Sequence, residues 1–370
     1  MVVRDATAPV EVLIRDVAFG GAGVGTLLDG RAVFVPFTLA GERVGARVTR
    51  KKKGWAEAEL LEVLEPSPSR VAPLCPVFGR CGGCAYQHAD GAEQLRIKAK
   101  QTRDALERIG GLKGLPEIRA EAAPSPWEYR NKITVHGGPR GEIGFFAADG
   151  RTVVDVARCV IANAAVNAEL GRLRRSGRRV RHATIEDLAE REASPKGSFH
   201  QVNAATAARL LAWVREQVEG GARLLDAYCS AGFFAFGLAD LFGEICGVDR
   251  DPRAIAAATA RAVREKRENL RFFAAPIEEK LGWFLEDGAA EKTVVLADPP
   301  REGLAPAAAD ALVRARPARL LYVSCNPATL ARDLGKLAGE DGPFRVETLA
   351  VFDMFPQTAA IEVGARLEPR

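Results

Sequence analysis

Two apolar runs, each ending in a polar turn, constrain this chain more than any other feature. One is Leu-Leu-Tyr-Val-Ser-Cys-Asn-Pro (320–327), and the other ends upstream in Ala-Asp-Pro-Pro-Arg (297–301). Buried strands that deliver polar residues at their C-terminal ends are how an open α/β sheet builds a site. One strand end carries the thiol of Cys325 and the other the carboxylate of Asp298. A free cysteine is ordinarily a small buried hydrophobe. Here the Asn-Pro that follows ends the strand and presents the thiol at a loop.

At 370 residues the chain exceeds one ordinary core, so two or three domains are expected. With 47% apolar and 27% charged residues, the composition is that of a globular enzyme rather than a disordered chain. There is no apolar run of the length a membrane span needs, roughly 18 residues. The first residues lack an apolar secretory core, which makes a cytoplasmic location the expectation. A net charge of +4 permits nucleic-acid binding without arguing for it.

Residues 9–64 read as a small all-β unit with short strand patterns at Val12-Leu-Ile, Ala32-Val-Phe-Val, Arg43-Val-Gly-Ala-Arg-Val and Ala56-Glu-Ala-Glu-Leu. The glycine-rich stretch 20–25 and Asp29-Gly read as turns, and the spacing suits a five-stranded oligonucleotide-binding type of barrel. The basic run 50–53 leads directly into Trp55, a pairing that suits a nucleic-acid strand and equally a solvated hairpin tip with a core tryptophan. Pro66-Ser-Pro-Ser-Arg reads as a linker, and the apolar spacing predicts a helix over 92–110. Between about 120 and 195 short strand patterns alternate with turns. Residues 172–181 hold six arginines, a density that suits either a phosphate-contacting face or a solvated helix and turn. From about 197 helices alternate with apolar strands, as a βαβ sheet requires.

Seven cysteines in a chain without secretory signals point to metal ligands, nucleophiles or core positions rather than disulfides. Cys75-x5-Cys81-Gly-Gly-Cys84 places three thiols within ten residues, and Cys159 is the one further cysteine of the middle region. Four thiolates suit tetrahedral zinc or a [4Fe–4S] cluster, and spacing does not separate them. Leu224-Leu-Asp-Ala-Tyr-Cys-Ser-Ala-Gly-Phe is a strand, an acid, a small-residue turn and a helix start. Ile245-Cys-Gly-Val-Asp249 is a second strand ending in a carboxylate, the position that holds ribose hydroxyls in dinucleotide folds. The first turn lacks the G-x-G-x-x-G spacing that a pyrophosphate needs, so a ligand with a ribose and no phosphate fits better, S-adenosylmethionine being the common one. Cys229 and Cys246 fall in apolar strand-end settings and are assigned to packing.

With the cysteine cluster, the Asp226 turn, Asp298-Pro-Pro-Arg and Ser324-Cys-Asn-Pro in the same chain, the sequence resembles the RNA uracil-5-methyltransferases from about residue 9 to the end. The resemblance implies three domains: a TRAM (OB-like) RNA-binding barrel over 1–65, a small central α+β domain over 66–195 and a Rossmann-like class I methyltransferase domain over 196–370. The helix after the cysteines would pack on the last of these. It also implies that Cys75, Cys81, Cys84 and Cys159 hold a [4Fe–4S] cluster, as in the ribosomal-RNA branch. Gln201, Tyr228, Asp249 and Asp298 would bind S-adenosylmethionine. Asp298 would also position the uracil, with Cys325 as nucleophile and Glu362 as general base. The expected product is 5-methyluridine in 23S-type ribosomal RNA, made by a monomer; a tRNA substrate and a non-catalytic RNA-binding relative are the alternatives.

The chemistry explains these residue types. Carbon 5 of uracil is a poor nucleophile until a thiolate adds at carbon 6, and a carboxylate must then remove the carbon 5 proton. Several positions depart from the family pattern. Ser230 and Phe233 alter the first turn, Asp249 replaces a more usual Glu, Pro276 stands in a segment lacking an adenine-capping Asp or Asn, and Ala360 replaces a histidine two residues before Glu362.

Overall fold

The structure is a computed structural model that describes residues 9–187, 189, 201–285 and 290–370. The N-terminal sheet contains β1 (Val10–Leu13), β2 (Asp16–Val17), β3 (Ala22–Thr26), β4 (Ala32–Pro36), β5 (Arg43–Lys51) and β6 (Trp55–Glu65) in the order β1-β5-β6-β4-β3-β2. Six strands form where five were expected. The glycine-rich stretch read as a turn contains β3, because the core comes so close that side chains do not fit. A Cβ on Gly23 would overlap Thr38 and one on Gly25 would overlap Val12. Alternation along the strands buries Val12, Val33, Val35, Val44, Ala46, Ala56 and Ala58 in one core.

One charged pair anchors this unit. Glu42 is fully buried and accepts from the Leu39 amide at 2.8 Å, the Ser67 amide at 3.2 Å and the Arg70 guanidinium at 2.5 and 2.7 Å. Burial pushes its carboxyl up, but Arg70 and the two amides more than offset that and hold it below the usual range. A depressed folded pKa contributes stability above the unfolded pKa that is lost as pH falls through the folded one. Glu42→Ala, which strands the Arg70 charge, should therefore lower stability by about 3 kcal/mol at neutral pH. A urea titration repeated toward pH 3 should show the wild-type advantage shrinking as the solution is acidified.

α1 (Gly91–Arg108) follows the cysteines, close to the predicted 92–110. A second sheet, in the order β10-β9-β8-β11, contains β8 (Lys132–Gly137), β9 (Ile143–Phe146), β10 (Val153–Asp155) and β11 (His182–Glu186), while β7 (Ile118–Glu121) belongs elsewhere. With α2 (Ala164–Arg175) this sheet encloses Ile133, Val135, Ile143, Ala162, Val166, Leu170 and Ile185. Of the six arginines at 172–181, Arg174 is taken up locally. It makes a two-point pair with Asp155 at 2.7 and 2.9 Å and donates to the Ile143 carbonyl.

The third sheet contains β12 (Gly221–Ala227), β13 (Phe242–Asp249), β14 (Leu270–Ala274), β15 (Thr293–Ala297), β16 (Arg319–Ser324), β17 (Phe344–Phe352) and β18 (Glu362–Pro369). Its order is β14-β13-β12-β15-β16-β18-β17-β7. So β7, inside the stretch expected to be a separate central domain, is the edge strand of this sheet, parallel to β17. Ala99–Pro124, Glu186–Met354 and Ala360–Arg370 form one unit, and the chain up to Lys98, Ser125–Ile185 and Phe355–Ala359 form the other. The β12–β16 strands are parallel and bear α3 (Ala204–Val218), α4 (Phe233–Gly237), α5 (Pro252–Arg264), α6 (Ile277–Leu285), α7 (Pro306–Ala315) and α8 (Pro327–Ala338) between or beside them. Leu320, Leu321, Tyr322 and Val323 of β16 are completely buried, each aliphatic side chain stabilising the fold by roughly 1.5–3 kcal/mol. No helix among the described residues is long and apolar enough to cross a membrane.

Candidate active site and cysteine cluster

The parallel register lines up the expected site residues at one edge of the third sheet. Ala227 pairs with Val248 on one side and Ala297 on the other, so Tyr228, Asp249 and Asp298 leave three neighbouring strands side by side. Ala297 pairs with Tyr322, bringing Cys325 to the same edge one strand further. At about 4.8 Å per strand, Asp249 and Cys325 stand roughly 14 Å apart across the sheet. The strand order reverses between β12 and β15, the switch point where open α/β sheets hold ligands. Antiparallel pairing of Ser324 with Val363 sets Glu362 opposite Cys325, so the C-terminal carboxylate reaches the thiol through strand register.

The turn after β12 is held by unusual backbone. Tyr228 and Ser230 have φ of 63° and 47°, and Gly232 has 86°. Two amides fix Asp249: Ser230 N–H donates to Oδ2 at 2.8 Å and Asp251 N–H to Oδ1 at 2.9 Å. Such a carboxylate is oriented from both sides. Asp226 is completely buried. Its Oδ2 accepts from the Ala235 amide at 2.9 Å while Oδ1 has no partner. Burial, with Asp298 and Asp249 nearby, pushes this carboxyl up to about 8. Tyr228 is pushed up to about 12, mainly by burial. Gln201 lies half-buried two residues before Asn203, which caps α3 by accepting from Thr206 N–H at 3.1 Å. The preceding Phe199 and His200 lie outside the described residues. Cys229 and Cys246 are both buried, in keeping with packing roles.

Around Cys325 three charged groups act on one thiol. Burial pushes the thiol up, the Glu362 and Asp298 carboxylates add to that, and Arg301 opposes it through its charge and a hydrogen bond. Glu362 is almost fully buried and held well above the usual carboxylate range, first by burial and then by Asp298. Asp298 is likewise raised by burial. Two carboxyls that each resist ionisation beside the other suit a site that must hold and move a proton. Arg301 appeared in the sequence only as the end of the Asp-Pro-Pro-Arg turn. The structure gives it a cationic contact to the thiol.

The two loops are tied to each other. The Arg301 carbonyl accepts from Asn326 Nδ2 and Thr329 Oγ1, both at 3.0 Å. Asn326 Oδ1 also caps α8 by accepting from Ala328 N–H at 3.1 Å, with Pro327 at the first helical position. Asp333, buried on α8, accepts from Leu304 N–H at 2.8 Å, Tyr322 O–H at 2.6 Å and Arg332 at 2.8 Å. A Cβ on Gly303 would run into this carboxylate and Arg332. Asp333 thus holds the acidic loop in place from behind, a role no motif in the sequence signalled.

The four cysteines expected to share a metal all fall in the first unit. Burial pushes Cys84 up to about 12 and raises Cys81 and Cys159, and each of these thiols also feels Cys75. Cys75 N–H donates to Gln87 Oε1 at 3.0 Å, Gly83 N–H to Cys81 Sγ at 3.5 Å, and Asn167 holds the Cys159 backbone through two hydrogen bonds. Gln87 Nε2 is buried with no nitrogen or oxygen partner, while its amide bears on the Cys84 sulfur. Among the described residues no three His, Cys, Asp or Glu side chains are drawn together at metal-ligand spacing. The donor set is nonetheless of the right kind: four soft thiols within mutual electrostatic range, and N–H donors aimed at sulfur.

This architecture is that of a class I methyltransferase. Residues 181–370 match the tRNA (uracil-5-)-methyltransferase family and residues 8–61 the TRAM domain. An uncharacterized RNA methyltransferase of Halalkalibacterium halodurans is 31% identical over 97% of this chain and 96% of its own length. Another, from Thermosynechococcus vestitus, is 31% identical over 97% and 98%. The crystal structure of Pyrococcus abyssi tRNA (uracil-54, C5)-methyltransferase with S-adenosyl-L-homocysteine covers 97% of this chain and 100% of its own at a TM-score of 0.72 and 24% identity, a likeness of fold. The chain belongs to the tRNA (uracil-5-)-methyltransferase family. It is an S-adenosylmethionine-dependent RNA uracil-5-methyltransferase with an N-terminal TRAM domain.

Removing the Asp333 anchor tests the loop account. Asp333→Ala should cost roughly 3 kcal/mol, read as a lowered urea midpoint at unchanged slope. It should also lower kcat and weaken S-adenosylmethionine binding together, because the loop that Asp333 holds carries Asp298 and reaches Tyr228 through Ala305.

Proposed function

We propose that the chain makes 5-methyluridine through a covalent adduct at Cys325. The observation that carries this reading is the convergence of Glu362, Asp298 and Arg301 on that thiol at the carboxyl edge of the sheet. Asp298 holds the uracil edge. Bound there, S-adenosylmethionine would supply the methyl group by breaking its sulfonium S–CH3 bond and would leave as S-adenosylhomocysteine. The Cys325 thiolate, aided by Arg301, adds to carbon 6 and leaves an enolate whose carbon 5 takes that methyl group. Glu362 removes the carbon 5 proton, and the electrons of that C–H bond expel the thiolate and restore the ring double bond. Gln201, Tyr228, Asp249 and Asp298 bind the methyl donor. A base within RNA structure must be extruded to reach this edge.

With 5-fluorouridine RNA and S-adenosylmethionine there is no carbon 5 proton to remove. A stable, denaturant-resistant protein–RNA adduct carrying the methyl group should then appear in wild type and be absent in Cys325→Ala. An adduct that survives in Cys325→Ala contradicts the mechanism. Because burial and two carboxylates hold the thiol up, kcat/KM should rise with pH above neutrality as the thiolate fraction grows. Arg301→Ala removes the opposing charge and should shift that profile to higher pH.

For the RNA, the reading is 23S-type ribosomal RNA, supported by the four cysteines that the cluster-bearing ribosomal branch shares; tRNA is the alternative, favoured by the family's own description. Mapping 5-methyluridine in RNA from cells lacking the protein separates the two. Cys75, Cys81, Cys84 and Cys159 hold a [4Fe–4S] cluster in a monomeric, cytoplasmic enzyme. Such a cluster supplies thiolate-held iron that cross-links the cysteine loop to the segment bearing Cys159. Anaerobically purified protein should be brown, absorb near about 400 nm and contain iron and sulfide, and Cys84→Ser should lose all three. Stoichiometric zinc instead would overturn the assignment.

A further inference from the structure

Glu362 is the first residue of β18, and it pairs with Phe352, the last residue of β17. Residues 353–361 therefore form the connection that leads into the proposed base. Antiparallel neighbours are ordinarily joined by two to five residues. This connection is longer, and its middle is held elsewhere. Phe355–Ala359 belongs to the unit that contains the four cysteines, whereas Phe352 and Glu362 belong to the other.

Three successive carbonyls of that middle segment are taken up by donors of the cysteine-bearing unit. The Phe355 carbonyl accepts from Lys98 Nζ at 3.0 Å and the Pro356 carbonyl from the Tyr129 O–H at 3.0 Å. The Gln357 carbonyl accepts from the Ala85 and Tyr86 amides, both at 2.9 Å. Ala359 packs against the small core that holds Tyr86, Ala89 and Ile97.

Gln357 is held most firmly of all. Gln94 Nε2, on α1, donates to Gln357 Oε1 at 3.0 Å, and the Gln357 N–H donates to Gln94 Oε1 at 2.8 Å. Gln94 Nε2 also donates to the Ala89 carbonyl at 2.9 Å, which fixes the end of the amide that faces the loop. Both glutamines are buried, and Gln357 has a φ of 71°, a left-handed backbone that a non-glycine residue keeps only when its surroundings impose it. A buried polar pair with its bonds made on both sides rigidifies what it joins. A strand's first residue frays most easily, so the direction in which the chain enters Glu362 depends on the segment before it.

We infer that Gln357 is a positioning residue for Glu362: its pairing with Gln94 fixes the path of residues 355–361 and so the distance of the carboxylate from the carbon 5 proton. The inference rests on the proposed role of Glu362 and names what holds that residue in place. Misplacing a reacting group by about 1 Å costs on the order of 100-fold in rate. Thiolate addition and methyl transfer do not use Glu362, so loss of the pair should slow proton removal alone.

The test uses the full chain and Gln94→Ala, which removes both side-chain bonds to Gln357 and leaves the loop sequence intact. Its kcat on uridine RNA should fall about 10- to 100-fold. With 5-fluorouridine RNA, where the reaction stops before proton removal, the adduct should form within about twofold of the wild-type rate. On ordinary uridine RNA the methylated adduct at Cys325 should build up as a denaturant-resistant species in the variant and not in wild type. Deuterium at carbon 5 should slow the variant more than wild type, because breaking that bond has become rate-limiting. Tyr129→Phe, which takes away the bond to the Pro356 carbonyl, should show the same pattern more weakly. A kcat within about twofold of wild type, with no adduct build-up, contradicts the inference. So does an equal slowing of uridine turnover and fluorouridine adduct formation in both variants, the mark of a loop that supports the fold in general. Wild type that forms no fluorouridine adduct overturns the functional reading and this inference with it. Wild type that forms the adduct while both variants turn over normally overturns the inference alone.

Discussion

Everything chemical in this molecule depends on desolvation at one sheet edge. Glu362 and Asp298 are both raised by burial, Glu362 raises further beside Asp298, and the Cys325 thiol is raised by burial and by both carboxylates. In water such groups would ionise independently. Enclosed together they compete for charge, and Arg301 opposes without reversing the rise of the thiol. A site with that balance can pass a proton between neighbours at little cost, as the proposed reaction, thiolate addition followed by removal of a carbon-bound proton, requires.

The fold delivers that competition by register rather than by local sequence. Cys325 and Glu362 are 37 positions apart in number, yet Ser324 pairing with Val363 makes them neighbours. Behind them, Asp333 binds Leu304, Tyr322 and Arg332, so the acidic loop cannot drift from the cysteine loop without leaving a buried carboxylate short of donors. On the cofactor side the same economy holds. Asp249 is oriented by two amides of the adjoining turns, and that turn adopts left-handed backbone at Tyr228 and Ser230, conformations that non-glycine residues take only when their surroundings impose them.

Much of this was legible in the sequence, for identifiable reasons. Asp298 and Cys325 announced themselves because a buried parallel strand is a long apolar run and its polar terminus stands out. Glu362 carried no such signal; its position followed only from the family resemblance, and strand pairing supplies the physical reason. Arg301 and Asp333 were not singled out. An arginine and an aspartate are common, and what makes these two matter is a contact across the chain. Gly23 and Gly25 misled in the opposite direction. Glycines usually mark turns, but these sit within β3 because neighbouring side chains occupy the space of a Cβ. The edge strand β7 was too short, and too far from its sheet in sequence, for its membership to be read from pattern alone.

Burial and two carboxylates set the ionisation of Cys325. The most direct measurement is the pH dependence of Cys325 alkylation by iodoacetamide, followed on the Cys325 peptide by mass spectrometry so that the other thiols do not contribute. The midpoint should lie above the ordinary thiol value near 9 and fall in Glu362→Gln as one carboxylate is removed. A midpoint at or below that ordinary value, unmoved by Glu362→Gln, would contradict it.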